Sequence, residues 1–262
     1  MRLVLLGTGS ADGWPNPWCG CTSCLDQLPR GRRAPTSVLV DGRLLLDCGP
    51  EAPASAVRFG HSLATVSTVA IGHAHHDHLD PAFLLHRSWV SDTPLQVIGP
   101  SPVIEQVQGW LAAGQTAVRL RTVTAADVVD LPDHRLTALA ANHDAFGEAL
   151  LYLVEDGSRR LLYATDTGLL PEATLAALQG VHLDAVLLEE TFGTRTDLGS
   201  GHLHLAGFGA TLAALRAVGA VDSRTRVAAV HLSHHNPPLP ALAAELARHG
   251  AEVHPDGTAL DL

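Results

Sequence analysis

Lysine is absent from the 262-residue sequence, which also contains only one methionine and two tyrosines. All 17 basic residues are therefore arginines, and 27 aspartates and glutamates outnumber them to give a formal net charge of −10. A chain of this charge is poorly suited to bind nucleic acid or an anionic membrane without sequence preference, because both are densely negative. We therefore expect neither as a partner.

Long apolar runs are also missing, since no segment approaches the ~20 apolar residues that span a bilayer. The first apolar run, Leu3 to Leu6, ends at Gly7 and is too short for the core of a signal peptide. These absences predict a soluble, cytoplasmic protein. Hydrophobic residues nevertheless make up 46% of the chain, enough for a sizeable core.

Histidine is abundant, with 16 copies, and imidazole is the commonest metal ligand among side chains. Three of the four cysteines, Cys19, Cys21 and Cys24, lie within six residues of one another, whereas Cys48 lies alone in an apolar strand. This clustering favours a metal site over a disulfide framework. Disulfides and free thiols remain the alternatives.

Short strand-like runs alternate with helical ones and no low-complexity linker divides the chain, so we predict one α/β domain over residues 1–262. Predicted strands cover residues 2–6, 37–40, 43–47, 68–72, 96–99, 135–140, 149–155, 160–165, 185–189 and 226–231, followed by a C-terminal pair with a hairpin turn at Asp256-Gly257. Predicted helices cover residues 52–59, 81–89, 102–113, 171–178, 205–218 and 240–249. Because several strands are joined by hairpins rather than by helices, we expect two mixed sheets with helices outside.

The segment His73-Ala74-His75-His76-Asp77-His78 follows a predicted strand and precedes a predicted helix. His73 and His75 are two apart on an extended segment, so their side chains point the same way and can chelate one ion. Asp77 and His78 lie on the following turn and can face a second ion. The alternative is a solvated polar loop.

This segment, written H-x-H-x-D-H, resembles the signature of the metallo-β-lactamase superfamily. The resemblance extends to His143, Asp166 and His231, each of which follows or ends a predicted strand. It implies a four-layer αββα sandwich, with two mixed β-sheets flanked by helices and a dinuclear metal site along one edge. It also implies one ion held by His73, His75 and His143, a second held by Asp77, His78 and His231, and Asp166 as the bridge between them. Asp47 resembles the aspartate that orients a ligand histidine in this superfamily.

Residues 19–24 form a C-x-C-x-x-C knuckle that offers three thiolates to a tetrahedral ion. His234 can supply a fourth ligand, because it lies three residues after His231 and could face away from the catalytic pair. The knuckle and this histidine resemble the structural zinc site of the phosphodiesterase branch that serves the carbon-phosphorus lyase pathway. The resemblance thus implies one structural zinc ion held by Cys19, Cys21, Cys24 and His234, besides two catalytic ions, zinc or manganese.

The same branch implies a general acid, and Gly201-His202-Leu203 aligns with its asparagine-histidine segment, with glycine in place of asparagine. His202 is thus the candidate proton donor, with Asp77 as a further catalytic candidate, and His204 competes with His202 for the role. For either histidine the alternative is a polar cap at the start of a helix. The implied reaction is hydrolysis of a small phosphodiester, linear or cyclic, by a hydroxide that bridges two ions.

Other functions remain open. A lactone or thioester hydrolase would use the same ions, and a metal-binding module without activity is the alternative outside enzymes. Residues 12–17, 188–193 and 231–238 resemble a metallo-hydrolase domain found beside adenosylcobinamide kinase in actinobacteria, which implies a phosphoester of cobalamin precursor metabolism. A transfer-RNA nuclease is disfavoured, because the sequence has no inserted Gly/Pro-rich arm and no basic stripe. Monomer and homodimer both remain open.

Two further groups near the knuckle each have two interpretations. Arg30, Arg32 and Arg33 either neutralise a phosphate or belong to an exposed loop. Trp14 and Trp18 either line a substrate pocket or pack beneath the knuckle.

Overall fold

The computed structural model describes residues 1–111, 117–143 and 147–262. Within these ranges fourteen strands form two seven-stranded sheets. The first sheet contains β1 (Arg2–Gly7), β2 (Ser37–Val40), β3 (Leu44–Leu46), β4 (Thr68–Ala70), β5 (Leu95–Gly99) and β6 (Val118–Thr122). The second contains β7 (Val128–Asp130), β8 (Arg135–Ala140), β9 (Leu150–Glu155), β10 (Arg160–Ala164), β11 (Ala185–Glu189), β12 (Arg226–Val230) and β13 (Ala251–Val253). The last strand, β14 (Ala259–Asp261), returns to the first sheet.

Both sheets are mixed, as the sequence predicts. The first has the order β14-β1-β2-β3-β4-β5-β6, antiparallel as far as β3 and parallel from β3 to β6. The second has the order β13-β12-β11-β10-β9-β8-β7, parallel from β13 to β10 and antiparallel from there to β7. The carboxyl ends of parallel strands share one edge of a sheet, and the loops that follow them can therefore converge.

Helices cover the outer faces of the two sheets. The described residues contain α1 (Thr22–Gln27), α2 (Ala52–Arg58), α3 (Ala82–Ser88), α4 (Ser101–Gln108), α5 (Glu172–Ala177), α6 (Leu205–Ala217) and α7 (Leu239–Ala247). Side chains of α2, α3 and α4 pack on the first sheet, and those of α6 and α7 pack on the second. The result is the predicted four-layer αββα sandwich. No helix in the described ranges has both the length and the apolar character needed to cross a membrane.

Alternation along β1 shows how the sequence specifies these layers. Leu3 and Leu5 join the core between the two sheets, whereas Val4 and Leu6 join the core beneath the helices on the first sheet. Successive side chains of a strand point to opposite faces, so a strand that is apolar at every position must be covered on both sides. The uninterrupted apolar runs of the chain are thus the signature of a buried sheet.

The C-terminal hairpin is a wrong prediction. β13 pairs with β12 in the second sheet and β14 pairs with β1 in the first, so Asp256-Gly257 connects the sheets rather than two paired strands. Long-range contacts decide this geometry. The Asp256 carboxylate accepts hydrogen bonds of 2.7 Å from the Thr8 hydroxyl and from the Ala34 backbone N–H, which fixes the turn against other loops.

The sequence analysis also missed β6, β7 and α1. The two strands are edge strands with exposed polar positions, so their apolar pattern is weak. The helix α1 lies within the cysteine knuckle and is only six residues long. The helix predicted over residues 102–113 ends at Gln108, and its last two residues lie outside the described ranges.

Gly49 packs against the segment that carries Asp77, and this contact is testable. A Cβ atom added at Gly49 would lie 1.9 Å from the carbonyl oxygen of Asp77. We expect Gly49→Ala to lower the free energy of unfolding by about 1 to 3 kcal/mol, the usual cost of inserting atoms into a packed site. Gly109→Ala is the matched control, because Gly109 has a φ of −65° and its added Cβ would approach no atom closer than 3.4 Å. Urea denaturation of both variants checks the prediction, and equal stabilities would contradict it.

Candidate metal centre

The predicted ligand residues come together at one edge of the two sheets. His73 to His78 follow β4, His143 follows β8, Asp166 follows β10 and His231 follows β12. Their candidate ligand atoms form two groups, and the atoms of each group lie within 4.8 Å of one another. The structure thus juxtaposes all seven residues, and their binding of metal stays a prediction.

Three residues at this edge have a left-handed backbone. Asp47, Asp166 and His231 have φ values of 57°, 58° and 57°. Each lies within two residues of the end of a strand. This conformation is uncommon for residues other than glycine and strains the backbone, and it is concentrated where side chains must be held in functional positions. The sharp turn at each strand end therefore fits a role in aiming side chains at a common point.

The first ligand group contains His73, His75, His143 and Asp166. Nε2 of His73 lies 2.8 Å from Nδ1 of His75 and 3.4 Å from Oδ2 of Asp166. Nε2 of His143 lies 3.3 Å from Nδ1 of His75 and 3.9 Å from the same oxygen of Asp166. Ligand atoms of a tetrahedral site with metal bonds of ~2.0 Å are about 3.3 Å apart, so these separations suit one ion.

The second ligand group contains Asp77, His78, His231 and Asp166. Oδ2 of Asp77 lies 3.0 Å from Nε2 of His78 and 3.2 Å from Nε2 of His231. Oδ1 of Asp166 lies 3.1 Å from each of these nitrogens. Two nitrogens and two carboxylate oxygens thus surround a second point.

Asp166 belongs to both groups through different atoms. Its Oδ2 faces the first group and its Oδ1 faces the second. Each oxygen of a carboxylate can bind a separate cation, and two ions ~3.5 to 4 Å apart need a negative charge between them. The side chain is 2% exposed, and this geometry fits the predicted bridging role.

His78 presents a ring nitrogen to the centre that suits a metal ion. Its Nδ1–H donates a hydrogen bond of 2.7 Å to Oδ2 of Asp47, so the neutral ring presents the lone pair of Nε2 to the centre. Among the described residues, Nε2 has no hydrogen-bond partner, although oxygens of Asp77 and Asp166 lie 3.0 and 3.1 Å away. A lone pair and carboxylate oxygens this close repel each other unless a proton or a metal ion lies between them. The donor set therefore fits a metal ion.

The pKa values of the buried groups indicate the same requirement. Burial disfavours the charged form of His78, but the charges of Asp166, Asp77 and Asp47 outweigh burial and raise its pKa well above the usual range. Burial alone would raise the pKa of Asp166, but His231, His78 and His73 together lower it well below the usual range. His75 is different, because burial and the neighbouring His73 and His143 lower its pKa to about 4. Divalent cations take anionic carboxylates and neutral imidazoles as ligands, so a metal ion bound here would displace the proton of His78.

Hydrogen bonds outside the two groups fix the orientation of two further histidines. Nδ1–H of His143 donates to the backbone carbonyl of Gly201 at 2.9 Å, which leaves Nε2 for the first group. Nδ1–H of His231 donates at 2.9 Å to the hydroxyl of Thr191, which in turn donates to Glu189. Such partners hold each imidazole in one tautomer and are part of a working metal site.

Glu189, at the end of β11, forms a further candidate group with His202 and His231, and the sequence analysis did not identify it. Its fully buried carboxylate accepts hydrogen bonds from Nδ1–H of His202 at 2.9 Å, from the Thr191 hydroxyl and from the backbone N–H groups of Thr167 and Leu203. Burial alone would lower the pKa of His202, but Glu189 outweighs it and raises the value to about 9. The sequence feature that could have identified Glu189 is an acidic residue at the end of an apolar strand, the same feature that marks Asp47.

The three clustered cysteines and His234 form a third group, with ligand atoms within 4.8 Å of one another. All four cysteines are free thiols. Sγ of Cys21 caps α1 by accepting from the Cys24 backbone N–H at 3.5 Å. Burial opposes ionisation of Cys21, but hydrogen bonds from Cys24 and Cys19 outweigh burial and lower the pKa of Cys21. At Cys24, burial raises the pKa to about 12. Three sulfurs and an imidazole nitrogen are a donor set that suits structural zinc.

The arginines near the knuckle lie in structural contacts. Arg30 and Arg32 are in surface ion pairs with Asp26 and Glu51. Arg33 is buried, contrary to both interpretations of the sequence, because its guanidinium donates to the Thr8 hydroxyl and to the His254 carbonyl.

The two tryptophans and His204 are separated by the structure. Trp14 is fully buried and packs in one core with Cys24, whereas Trp18 is 94% exposed. Trp14 thus packs beneath the knuckle. His204 is the N-cap of α6, since its Nδ1 accepts from the Gly207 backbone N–H at 3.3 Å.

Comparison with known proteins adds a family match. A family described as beta-lactamase superfamily domain matches residues 42–232. Ribonuclease Z from Mycobacterium sp. (strain KMS) is 29% identical over 202 residues, which are 68% of this chain and 65% of that protein. The chain spans less than two thirds of the length of these curated relatives.

Two solved structures share the fold over the whole chain. Zn²⁺-bound PqqB from Methylobacterium extorquens has a TM-score of 0.79 and 21% identity, with 100% of both chains covered. A diphosphatase from the PhnP family has a TM-score of 0.75 and 22% identity, with 100% of this chain and 97% of the other covered. At these identities the likeness concerns the fold alone.

Asp166 is expected to matter for both ions. Asp166→Ala removes the only residue that the first and second ligand groups share, so metal content should fall by more than one ion per chain. Elemental analysis after reconstitution with zinc or manganese measures this. Asp197→Ala is the control, because Asp197 is exposed and is paired with Arg195. Full metal content in Asp166→Ala would refute the shared role.

Substitution of Cys21 is expected to remove a different ion, the one predicted at the cysteine group. Three thiolates and a histidine close a tetrahedral shell and leave no position for water, which is typical of a structural site. Cys21→Ser should therefore lower metal content by about one ion per chain and lower the thermal midpoint, because metal binding and folding are coupled. Cys48→Ala, which removes a buried thiol that belongs to no candidate ligand group of the described residues, should leave metal content unchanged. Loss of equal amounts of metal in both variants would contradict this assignment.

Proposed function

This chain belongs to the β-lactamase superfamily, and from that premise we propose that it is a metal-dependent hydrolase of a small phosphodiester, linear or cyclic. One observation carries the proposal: a buried carboxylate holds the imidazole of His202 beside both ligand groups. The His202 ring lies 4.6 Å from the His143 ring and 5.4 Å from the His231 ring. A proton donor in this place can reach the leaving group of a substrate bound at the ions.

The residues of the two ligand groups would hold two divalent cations, zinc or manganese, and the cysteine group would hold a structural zinc ion. The catalytic cations supply Lewis acidity and make water a stronger nucleophile at neutral pH. Asp77 and Asp166 contribute the negative charge that keeps the cations in place. Asp47 and Thr191 hold His78 and His231 in the tautomers that present Nε2 to the centre.

His202 donates the proton that the leaving group needs. Its Nδ1–H is engaged by Glu189, so the transferable proton is on Nε2. Water loses one proton to the solvent and its oxygen bonds to phosphorus, the bond from phosphorus to the leaving oxygen breaks, and Nε2 protonates that oxygen to give an alcohol and a phosphomonoester. An alkoxide leaves slowly without such help, which explains why a positioned acid is present.

Two named relatives support a phosphorus electrophile over a lactone or thioester. Ribonuclease Z and the PhnP-family diphosphatase both act, by their names, on bonds to phosphorus. Lactone or thioester hydrolysis, and a phosphoester of cobalamin precursor metabolism, are tested by the same substrate panel. A module without activity would be indicated if a fully metal-loaded sample turned over none of these compounds.

Cleavage of transfer-RNA precursors is the second candidate, because the curated relatives include ribonuclease Z. The charge of this chain disfavours it. A protein of net charge −10 without lysine offers few cations to an RNA backbone. A transfer-RNA precursor therefore belongs in the panel, and its efficient cleavage would replace the small-molecule proposal.

His202→Ala tests the proton donor. Hydrolysis of alkyl or ribosyl phosphodiesters should slow by ~10² to 10⁴-fold, the usual contribution of a positioned acid. An activated aryl phosphodiester should be affected much less, because aryl oxide leaves without protonation. Steady-state kinetics with both substrate types, on protein of verified metal content, measure the difference.

The N-cap residue provides the control for this experiment. His204→Ala removes a neighbouring imidazole that caps α6 and makes no hydrogen bond to Glu189, so its losses should be small and similar for both substrate types. Equal large losses on both types in His202→Ala would show that His202 binds phosphate or orders the site instead of donating a proton.

A further inference from the structure

An apolar cavity of about 670 Å³ lies on the outer face of the first sheet, between α2 and α3. Its floor is formed by Leu45 of β3, Val69 of β4 and Leu95 of β5, which are neighbouring strands. The two helices have only seven residues each, so they leave part of the sheet between them uncovered. The volume falls within the range that is usual for small-molecule sites.

The lining of this cavity changes from apolar at the floor to polar at the mouth. Each of the three floor side chains is 2% exposed. At the mouth, His86, Thr93 and Val90 are exposed, and Arg87 and Ser91 are half-buried. A ligand that fills the cavity must therefore be apolar at one end and polar at the other.

Arg87 gives the mouth a positive charge. Its Nη2 donates hydrogen bonds of 2.7 Å to the backbone carbonyl and to the hydroxyl of Thr93, which hold the guanidinium in place. Burial lowers the pKa of Arg87, and the charge of Asp92 opposes this, but among the described residues no carboxylate forms an ion pair with Arg87 or lines the cavity. The N–H groups at Nε and Nη1 have no partner in the described part of the chain and suit an anion.

The rest of the lining narrows the class of this anion. One guanidinium with an imidazole beside it can neutralise a single negative charge, whereas a polyphosphate needs several cations. Phe83 is the only benzene or indole ring among the described lining residues, so a nucleobase would find no second ring to stack on. Away from the mouth, the Cys48 thiol is the only polar side-chain group of that lining, so sugar hydroxyls would be buried without partners. An alkyl chain with one anionic group fits these features.

We propose that this cavity binds an aliphatic monocarboxylate of medium chain length, with its alkyl chain over β3, β4 and β5 and its carboxylate on Arg87. Apolar surface of the alkyl chain and of the floor would leave water together, which favours binding. The carboxylate would accept charge-assisted hydrogen bonds from the guanidinium. None of the seven predicted metal ligands lines the cavity, so this site is separate from the proposed hydrolase centre.

Calorimetric titration tests the charge at the mouth. Metal-loaded protein is titrated with decanoate and with decan-1-ol, which has the same alkyl chain and no charge. Arg87→Gln should weaken decanoate binding by about tenfold or more, because hydrogen bonds between charged groups are lost, and should leave the affinity for decan-1-ol unchanged. No binding of decanoate to wild type, or equal weakening of both ligands in Arg87→Gln, would overturn the proposal.

Arg58→Gln is the matched control for this titration. Arg58 is the last residue of α2, does not line the cavity and has no ion pair with a described residue. Its substitution removes the same charge from a neighbouring helix, so both ligands should bind as they do to wild type. Equal loss of decanoate affinity in the two variants would show only a general effect of charge and would overturn the assignment to Arg87.

Ala64→Phe tests the position of the alkyl chain. Ala64 lines the cavity from an exposed place in the loop after α2, so a phenyl ring there takes up space without entering the core. Decanoate binding should be lost in Ala64→Phe and retained in Ala54→Phe, since Ala54 is exposed on α2 outside the lining. In methyl NMR spectra of wild type, decanoate should shift the signals of the three floor residues and spare those of the core on the second sheet. Shifts elsewhere, or equal binding to both variants, would contradict the location.

Two other occupants give different results. A carboxylate can also bind to metal ions, in which case acetate would compete with decanoate, and binding would survive both Arg87→Gln and Ala64→Phe. If a second copy of the chain covers the cavity, sedimentation would show a dimer that Ala64→Phe dissociates, and decanoate would not bind to wild type. Either result would overturn the proposal. Neither bears on the phosphodiester assays, so the hydrolase proposal stands or falls separately.

Discussion

Two carboxylates are buried among five imidazoles at one edge of the sandwich, and much of the surrounding structure serves to keep them there. Asp77 and Asp166 are almost completely removed from water, yet both face the lone pair of Nε2 on His78. Buried charge is tolerated only when it is paired or binds a metal. The arrangement is therefore favourable with a proton or a metal cation at its centre.

On each sheet, a buried carboxylate holds the histidine side chains in position. Asp47, just after β3, accepts hydrogen bonds from the Gly72 backbone, from His78 and from the Tyr163 hydroxyl, all between 2.7 and 2.8 Å. Glu189, at the end of β11, connects His202 with Thr191, which orients His231. Each is a fully buried carboxylate that joins loops distant in sequence. One orients a ligand of the centre, and the other orients both a ligand and the candidate acid.

The sequence predicts what depends on local pattern and misses what depends on contacts between distant segments. Apolar runs located most of the strands, and the resemblance to the metallo-β-lactamase signature identified the seven residues that the structure brings together, each of which follows a strand. The turn at Asp256 was misread because its partners, Thr8 and Ala34, are more than 200 residues away. Arg33 was misread for the same reason, and the role of Glu189 became visible only when four donors from separate segments were seen to meet on it.

Backbone strain and burial in the candidate metal centre occur at the same residues, and both are unfavourable for folding. Asp166 and His231 combine a left-handed backbone with ligand atoms in one buried group, and each such conformation costs on the order of 1 to 3 kcal/mol. Within the centre, His231, His78 and His73 lower the pKa of Asp166 and so favour its anionic form. The three apolar cores that flank and separate the sheets contribute stability from outside the centre. Bound cations would stabilise the edge further, because a ligand that binds only the folded state shifts the folding equilibrium toward it.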